Sequence, residues 1–322
     1  MATATTPRHR MLALAGAIAI ACAACAQQAS TPAAETAPSE PAAAEAEAAP
    51  APSPDAHRFT IGALQATALR DGDITVPNDG SVIAMGESKD EVDALLEAAG
   101  EPTDTLQLAI QGLLVEAGNR VLLFDTGAGA AEFADGGRLP QSLRAAGVEP
   151  SQVTDVFISH LHQDHVGGLV DGDGQPAFAN ATVRMSAPEW EALRADTGQA
   201  ALAKAIAPQV ETFEPGAQDV VPGVSALAVD GHTPGHSTYL VGDDRTRLLY
   251  IGDSAHHHVI SVQRPRWTIQ FDGDAPLAED SREALLARAA DEALLVHSPH
   301  FPFPGLGRIE RNDDGFVWVP AP

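Results

Sequence analysis

Val153-Thr154-Asp155-Val156-Phe157-Ile158 runs directly into Ser159-His160-Leu161-His162-Gln163-Asp164-His165-Val166-Gly167-Gly168. The opening run is short, apolar and β-branched with polar residues on either side, which predicts a buried strand. The strand stops where the histidines begin, and Gly167-Gly168 predict a tight turn or close backbone approach after them. Three imidazoles and one carboxylate are thus crowded onto one loop at a strand end. His160 and His162 are two apart, so in extended backbone they project to one side. Asp164 and His165 follow as the loop turns and can face a second point. Imidazole and carboxylate suit zinc and similar divalent ions, and an open catalytic site takes about three protein ligands. The four groups of residues 160–165 are too many for one open tetrahedral ion and natural for half of a two-ion site. The plainer alternative is a polar surface loop with chance histidines, and the density of the cluster argues against it.

Further polar clusters follow apolar runs elsewhere. Residues 224–229 end at Gly231-His232-Thr233-Pro234-Gly235-His236, residues 248–251 end at Gly252-Asp253, and residues 293–296 end at His297-Ser298-Pro299-His300. Between these, strands and helices mingle. A first strand is expected over 59–69, stopped by Asp71-Gly72-Asp73, with a loop-like stretch over 74–105 that holds a helix near 89–98. Strands over 106–115 and 121–124 form a hairpin at Ala117-Gly118-Asn119 and lead into Asp125-Thr126-Gly127. A helix is expected over 139–146 and another after Ser186, where Ser186 and Glu189 have capping-box spacing. Asp280 and Glu283 predict the start of a helix reaching about 290, and 316–319 is a terminal strand. The class is α+β, with two sheets flanked by helices and site loops meeting at one edge.

The chain of 322 residues is 44% hydrophobic, enough for a real core, and its formal net charge is -25. Such a surface repels phosphates, which argues against nucleic acid or anionic membrane as a partner while leaving room for a local basic patch, and a small-molecule substrate is expected. The 2 cysteines, Cys22 and Cys25, lie near the start, so the body has neither disulfides nor thiolate ligands. Arg8-His9-Arg10 and the apolar run 11–24, too short for a permanent span, read as a signal peptide over 1–25. Ala23-Ala24-Cys25 fits a lipoprotein box with a lipid anchor to the membrane, and Ala24-Cys25-Ala26 fits plain cleavage equally well. Either way the expectation is export to the periplasm. Residues 26–57 are dominated by Ala, Pro, Glu, Ser and Thr, and a tract so poor in large apolar side chains reads as a disordered linker. The folded domain is expected over 58–322.

The loop at 160–165 resembles the His-x-His-x-Asp-His signature of the metallo-β-lactamase superfamily. That resemblance implies an αββα four-layer sandwich and three further ligands in chain order, and His232, Asp253 and His300 match them. It implies one ion held by His160, His162 and His232, another by Asp164, His165 and His300, and Asp253 between them. Two divalent ions, zinc above all, would share and activate one water, with Asp164 and Asp253 in catalytic roles and Asp164 as a candidate proton acceptor. Asp125 matches a carboxylate that steadies a histidine ligand, and His236 matches a structural histidine bonded to backbone. The branch most similar is that of methyl parathion hydrolase, on Ser159–Gly168, Gly231–His236, Thr268-Ile269-Gln270-Phe271-Asp272 and Phe303-Pro304-Gly305-Leu306-Gly307. The resemblance therefore implies hydrolysis of an ester, lactone or phosphotriester. Two alternatives stand beside it: an exported zinc-binding protein without turnover, and a β-lactam hydrolase, which Asp253 disfavours. His256 is placed near the ions, His257 and His258 at the surface. Trp267, Phe271, Phe301 and Phe303 are divided between pocket wall and core.

Overall fold

A computed structural model describes residues 53–243, 245–313 and 315–321. The expected signal peptide over 1–25 and the part of the linker before residue 53 lie outside the described residues. The first half begins with the hairpin β1 (Ala56–Ile61) and β2 (Leu64–Pro77), then β3 (Ile83–Met85) and α1 (Lys89–Ala99). The hairpin β4 (Thr105–Ala117) and β5 (Arg120–Phe124) follows, then α2 (Leu139–Ala145), β6 (Asp155–Phe157), α3 (Gln163–Val166), β7 (Thr182–Ser186), α4 (Ala187–Ala195), α5 (Ala200–Ile206) and β8 (Val210–Phe213). The second half holds β9 (Val224–Ala228), β10 (Ser237–Gly242), β11 (Arg247–Tyr250), α6 (Ile260–Gln263), β12 (Thr268–Ile269), α7 (Ala275–Asp291), β13 (Leu295–His297), β14 (Leu306–Asn312) and β15 (Gly315–Pro320).

Two sheets result. One runs β1-β2-β4-β5-β6-β7-β8 and the other β15-β14-β13-β11-β10-β9, with a small β12-β3 ribbon beside them. Strand alternation builds the layers. Leu113, Val115, Leu122 and Phe124 of the first sheet meet Tyr239, Val241, Leu248 and Tyr250 of the second in one buried cluster. The residues between them point outward. Leu114 and Leu123 pack with Leu143, Leu193 and Ile206 from α2, α4 and α5. Leu240 and Leu249 pack with Leu285, Leu286 and Ala289 from α7. The architecture is the expected αββα sandwich. Phe124 stacks on Phe157 at 4.9 Å in the central layer, and truncating a ring buried this way costs about 3–5 kcal/mol.

Several expected boundaries change. The strand expected over 59–69 is a hairpin turning at residues 62–63, because Gly62 takes a φ of +58 there. Asp71-Gly72 is no turn. It is an irregularity inside β2, which runs on to Pro77, so the start of the stretch expected to be loop is strand. Asp71 is buried and accepts from the backbone N–H groups of Ala128, Gly137 and Leu139, which is why a turn-forming residue type sits mid-strand. α7 starts at Ala275 after the cap Asp274, whose carboxylate accepts from Leu277 N–H; Asp280 lies inside the helix. β1 begins at Ala56, two residues before the expected domain boundary at 58.

Candidate metal centre

Five strand ends carry the site. β5 leads into Asp125, β6 into His160, β9 into the loop of His232, β11 into Asp253 and β13 into His300. All lie at one edge of the sandwich, because β5 runs parallel to β6 and β11 to β13, and β9 and β11 both run antiparallel to β10. Gly231 and Gly235 show why the second histidine loop is glycine-bounded. A Cβ on Gly231 would lie 2.2 Å from Ala278 N, and one on Gly235 2.2 Å from Ser186 Oγ.

The seven expected residues converge. One ligand atom each from His160, His162, His232 and Asp253 lie within 4.8 Å of one another, and so do those of Asp164, His165 and His300. Asp253 faces both sets. Its Oδ1 lies 3.1 Å from His165 Nε2 and 3.0 Å from His300 Nε2. Its Oδ2 lies 3.5 Å from His160 Nε2 and 3.5 Å from His232 Nε2. Asp164 Oδ2 is 3.5 Å from both His165 Nε2 and His300 Nε2.

The outward nitrogens are fixed by other partners, and that aims the inner ones. Asp125 Oδ2 accepts from His165 Nδ1 at 2.8 Å, from the Ser159 hydroxyl at 2.6 Å and from the Tyr250 hydroxyl at 2.8 Å. Ser159 Oγ in turn touches His160 Nδ1 at 3.0 Å. One carboxylate therefore sets two rings, and Asp125 does so from a left-handed backbone with φ +56. His300 Nδ1 bonds the Ala109 carbonyl at 2.8 Å, a contact that crosses from the second sheet to the first. His236 behaves as expected: Nδ1 meets the Val229 carbonyl, and Nε2 accepts the Asp253 backbone N–H at 3.0 Å.

Asp272 was missed as a supporting group. It takes His232 Nδ1 at 2.9 Å and is itself held at 2.7 Å by Arg282, a fully buried side chain on α7 that also donates to the Ser254 carbonyl. Its signal was present, since Asp272 closes the stretch 268–272 singled out for resemblance. Glu189 was read as a capping-box partner. Ser186 does accept from Glu189 N–H, but the Glu189 carboxylate turns away to Leu161, Thr233 and Gly235.

The electrostatics fit cations. Burial disfavours ionised Asp164, yet His165 and His300 beside it prevail and hold it at about 2. Burial would also strip protons from His232, but the hydrogen bonds to Asp253 and Asp272 raise it to about 9. Burial and the neighbouring His232 push His162 down to about 4. Ionised carboxylates thus draw protons onto some imidazoles while others are left neutral. Divalent cations would satisfy the same carboxylates and all the imidazoles together. Among the described residues, His160 Nε2, His165 Nε2 and Asp253 Oδ1 are buried without a hydrogen-bond partner and lie close together, as donors to shared cations would. The residues present fit two divalent ions.

A cavity of about 430 Å³ opens over this edge. Its floor is His162, Asp164, Asp253, His256 and His300, and its walls include Ile74, Val76, Leu108, Phe133 and Phe271. His256 Nε2 lies 3.2 Å from Asp253 Oδ2, where the sequence placed it. The surface positions expected for His257 and His258 are wrong. His257 is buried and its Nδ1 accepts the Val259 and Ile260 backbone N–H groups, while His258 is mostly covered and meets Glu101 at 3.1 Å. Among the four aromatics, Phe271 lines this cavity, Phe303 lines its polar neighbour, Phe301 is core against Trp318, and Trp267 packs with the β3–β12 unit. Phe133, 55% exposed at the rim, escaped the sequence reading because an isolated loop aromatic carries no pattern.

The family model described as the metallo-beta-lactamase superfamily matches residues 107–300, more than half of the chain. The chain belongs to the metallo-β-lactamase superfamily. An N-acyl homoserine lactonase from a Bacillus species is 30% identical over 201 residues, spanning 56% of this chain and 77% of that one. An N-acyl homoserine lactonase from Bacillus cereus is 29% identical, spanning 47% of this chain and 65% of its own length. Among solved structures, AidC, a dizinc quorum-quenching lactonase in complex with a product N-hexanoyl-L-homoserine, is 28% identical. It superposes with a TM-score of 0.76 over 83% of this chain and 97% of that one. Among the described residues, no helix is long and apolar enough to cross a membrane.

Proposed function

We propose that this protein is a dinuclear metal-dependent hydrolase that opens lactones bearing an apolar substituent. The observation that carries the reading is the position of Asp253, one oxygen toward each histidine group, on the floor of a cavity with apolar walls. His160, His162 and His232 would hold one cation and Asp164, His165 and His300 the other, with Asp253 shared. The ions would be zinc, since every donor is imidazole or carboxylate and the AidC structure is described as dizinc. When bound, such a pair supplies Lewis acidity and lowers the pKa of water toward about 7.

The chain's own residues do the rest. Ile74, Val76, Leu108 and Phe271 exclude water from an apolar substituent and place the ester carbonyl over the floor. Water adds to the carbonyl carbon, the ring C–O bond breaks, and the water proton ends on the alcohol oxygen. Asp164, partly open to the cavity, is the carboxylate placed to take that proton and return it. Asp125 and Asp272 keep His165 and His232 turned inward throughout.

A second reading is phosphotriester hydrolysis, as in the methyl parathion hydrolase branch. The stretches 268–272 and 303–307 favour it, because Phe271 and Phe303 from them line adjoining cavities. Export, with or without a lipid anchor, is part of the proposal and rests on the leader sequence alone. Metal-loaded protein should be assayed on N-acyl homoserine lactones, p-nitrophenyl esters and paraoxon-type triesters. Lactones should be turned over with the highest kcat/KM. Two bound ions without turnover of any of the three would favour a zinc-binding protein instead.

A further inference from the structure

We infer that Glu189 is a positioning residue that sets the cation affinity of the His160–His162–His232 group separately from that of the Asp164–His165–His300 group. The inference rests on the two-cation reading above. Glu189 is fully buried, and among the described residues its carboxylate is held by three hydrogen bonds and no ion pair. Its Oε1 accepts the Leu161 N–H at 2.7 Å. Its Oε2 accepts the Gly235 N–H at 2.7 Å and the Thr233 hydroxyl at 2.9 Å. Leu161 lies between His160 and His162, and Thr233 and Gly235 follow His232. One carboxylate therefore ties together the two loops that must meet to form this group.

The seat is close-fitting. Ser186 Oγ donates to the Gly235 carbonyl at 2.6 Å, and a Cβ on Gly235 would lie 2.5 Å from Glu189 N. The other group is braced differently, by Asp125 on His165 and by the Ala109 carbonyl on His300. Charge points the same way. Burying a carboxylate without a cation is unfavourable, and three charge-assisted hydrogen bonds offset that only in part. The group beside it has three neutral-capable imidazoles and only a share of Asp253, whereas its neighbour has Asp164 as well. A cation held there gains from a fixed negative charge behind the loops.

Glu189→Gln keeps the shape, removes the charge and turns one acceptor into an NH2 that faces an N–H. Cobalt(II) titration of the chelator-stripped full chain should show two equivalents in the unsubstituted protein. In Glu189→Gln one equivalent should keep its affinity and the other weaken by about 10–100-fold. Combined with His300→Ala, Glu189→Gln should weaken the one remaining equivalent by the same factor; combined with His162→Ala it should change nothing further. Thr233→Val, which removes one hydrogen bond and keeps the charge, should weaken the same equivalent less, and it decides the matter if Glu189→Gln does not fold. Unchanged affinity at both equivalents, or an equal loss at both, would overturn the inference while leaving the two-cation reading in place. Fewer than two equivalents in the unsubstituted chain would overturn that reading and the inference with it.

Discussion

The two halves of the sandwich deliver their chemistry in opposite ways. The first half places His160, His162, Asp164 and His165 on one continuous loop after β6 and steadies two of them with the single carboxylate of Asp125. The second half supplies His232, Asp253 and His300 from the ends of β9, β11 and β13, and each has a support of its own: Asp272, His236 and the Ala109 carbonyl. A local cluster can be positioned by local geometry and a few shared braces, here Asp125 and Glu189. A dispersed set needs the whole sheet and a brace for every member. The first half is therefore robust to changes in distant packing, and the second is sensitive to them.

The sharpest break in this contrast is at the residue that serves both groups. Asp253→Ala should lower kcat/KM by on the order of 10³-fold or more and release both ions, measured by lactone turnover and metal content. His162→Ala should abolish turnover as well but release one equivalent of metal only. Next come the braces. Asp125→Asn should weaken metal affinity by about 10–100-fold through His165 and His160 together. Asp272→Asn should act through His232 alone and leave the His165 group intact. A difference in which equivalent is lost, read by metal titration, would establish the asymmetry; identical losses would remove it.

How much of this was visible beforehand follows the same division. The contiguous loop was legible because its spacing is its geometry, and the three dispersed residues were found only because a known signature demanded them. Asp272 and Glu189 were not legible as supports, since their partners lie far away in the chain. Asp71 misled for a related reason: Asp-Gly ordinarily marks a turn, but here the carboxylate caps a remote loop from within β2. His257 and His258 looked solvent-facing because runs of polar residues usually are. His257 turns in to cap the start of α6 and His258 lies against Glu101 and Phe301, contacts that no periodicity in the segment encodes.

Smaller effects test the cavity and the second sheet. Phe271→Ala should raise KM for long-chain lactones by about tenfold with kcat little altered, because it removes binding shared by ground and transition states. His297 is buried against Tyr250, neither ring nitrogen has a partner among the described residues, and burial holds it at about 3. The unfolded chain takes up this proton first, near the ordinary 6.5, so the folded state loses relative stability as pH falls from there toward 3 and is unaffected above it. His297→Phe should therefore gain on the unsubstituted protein at pH 5 but not at pH 8, measured by urea midpoints.

The proposed chemistry requires two cations seated between the halves. Anomalous diffraction from crystals of the metal-loaded protein measures that directly. It should show two peaks roughly 3.5–4 Å apart, one among His160, His162 and His232, the other among Asp164, His165 and His300, with Asp253 reaching both. A single peak, or two peaks not joined by Asp253, would contradict it.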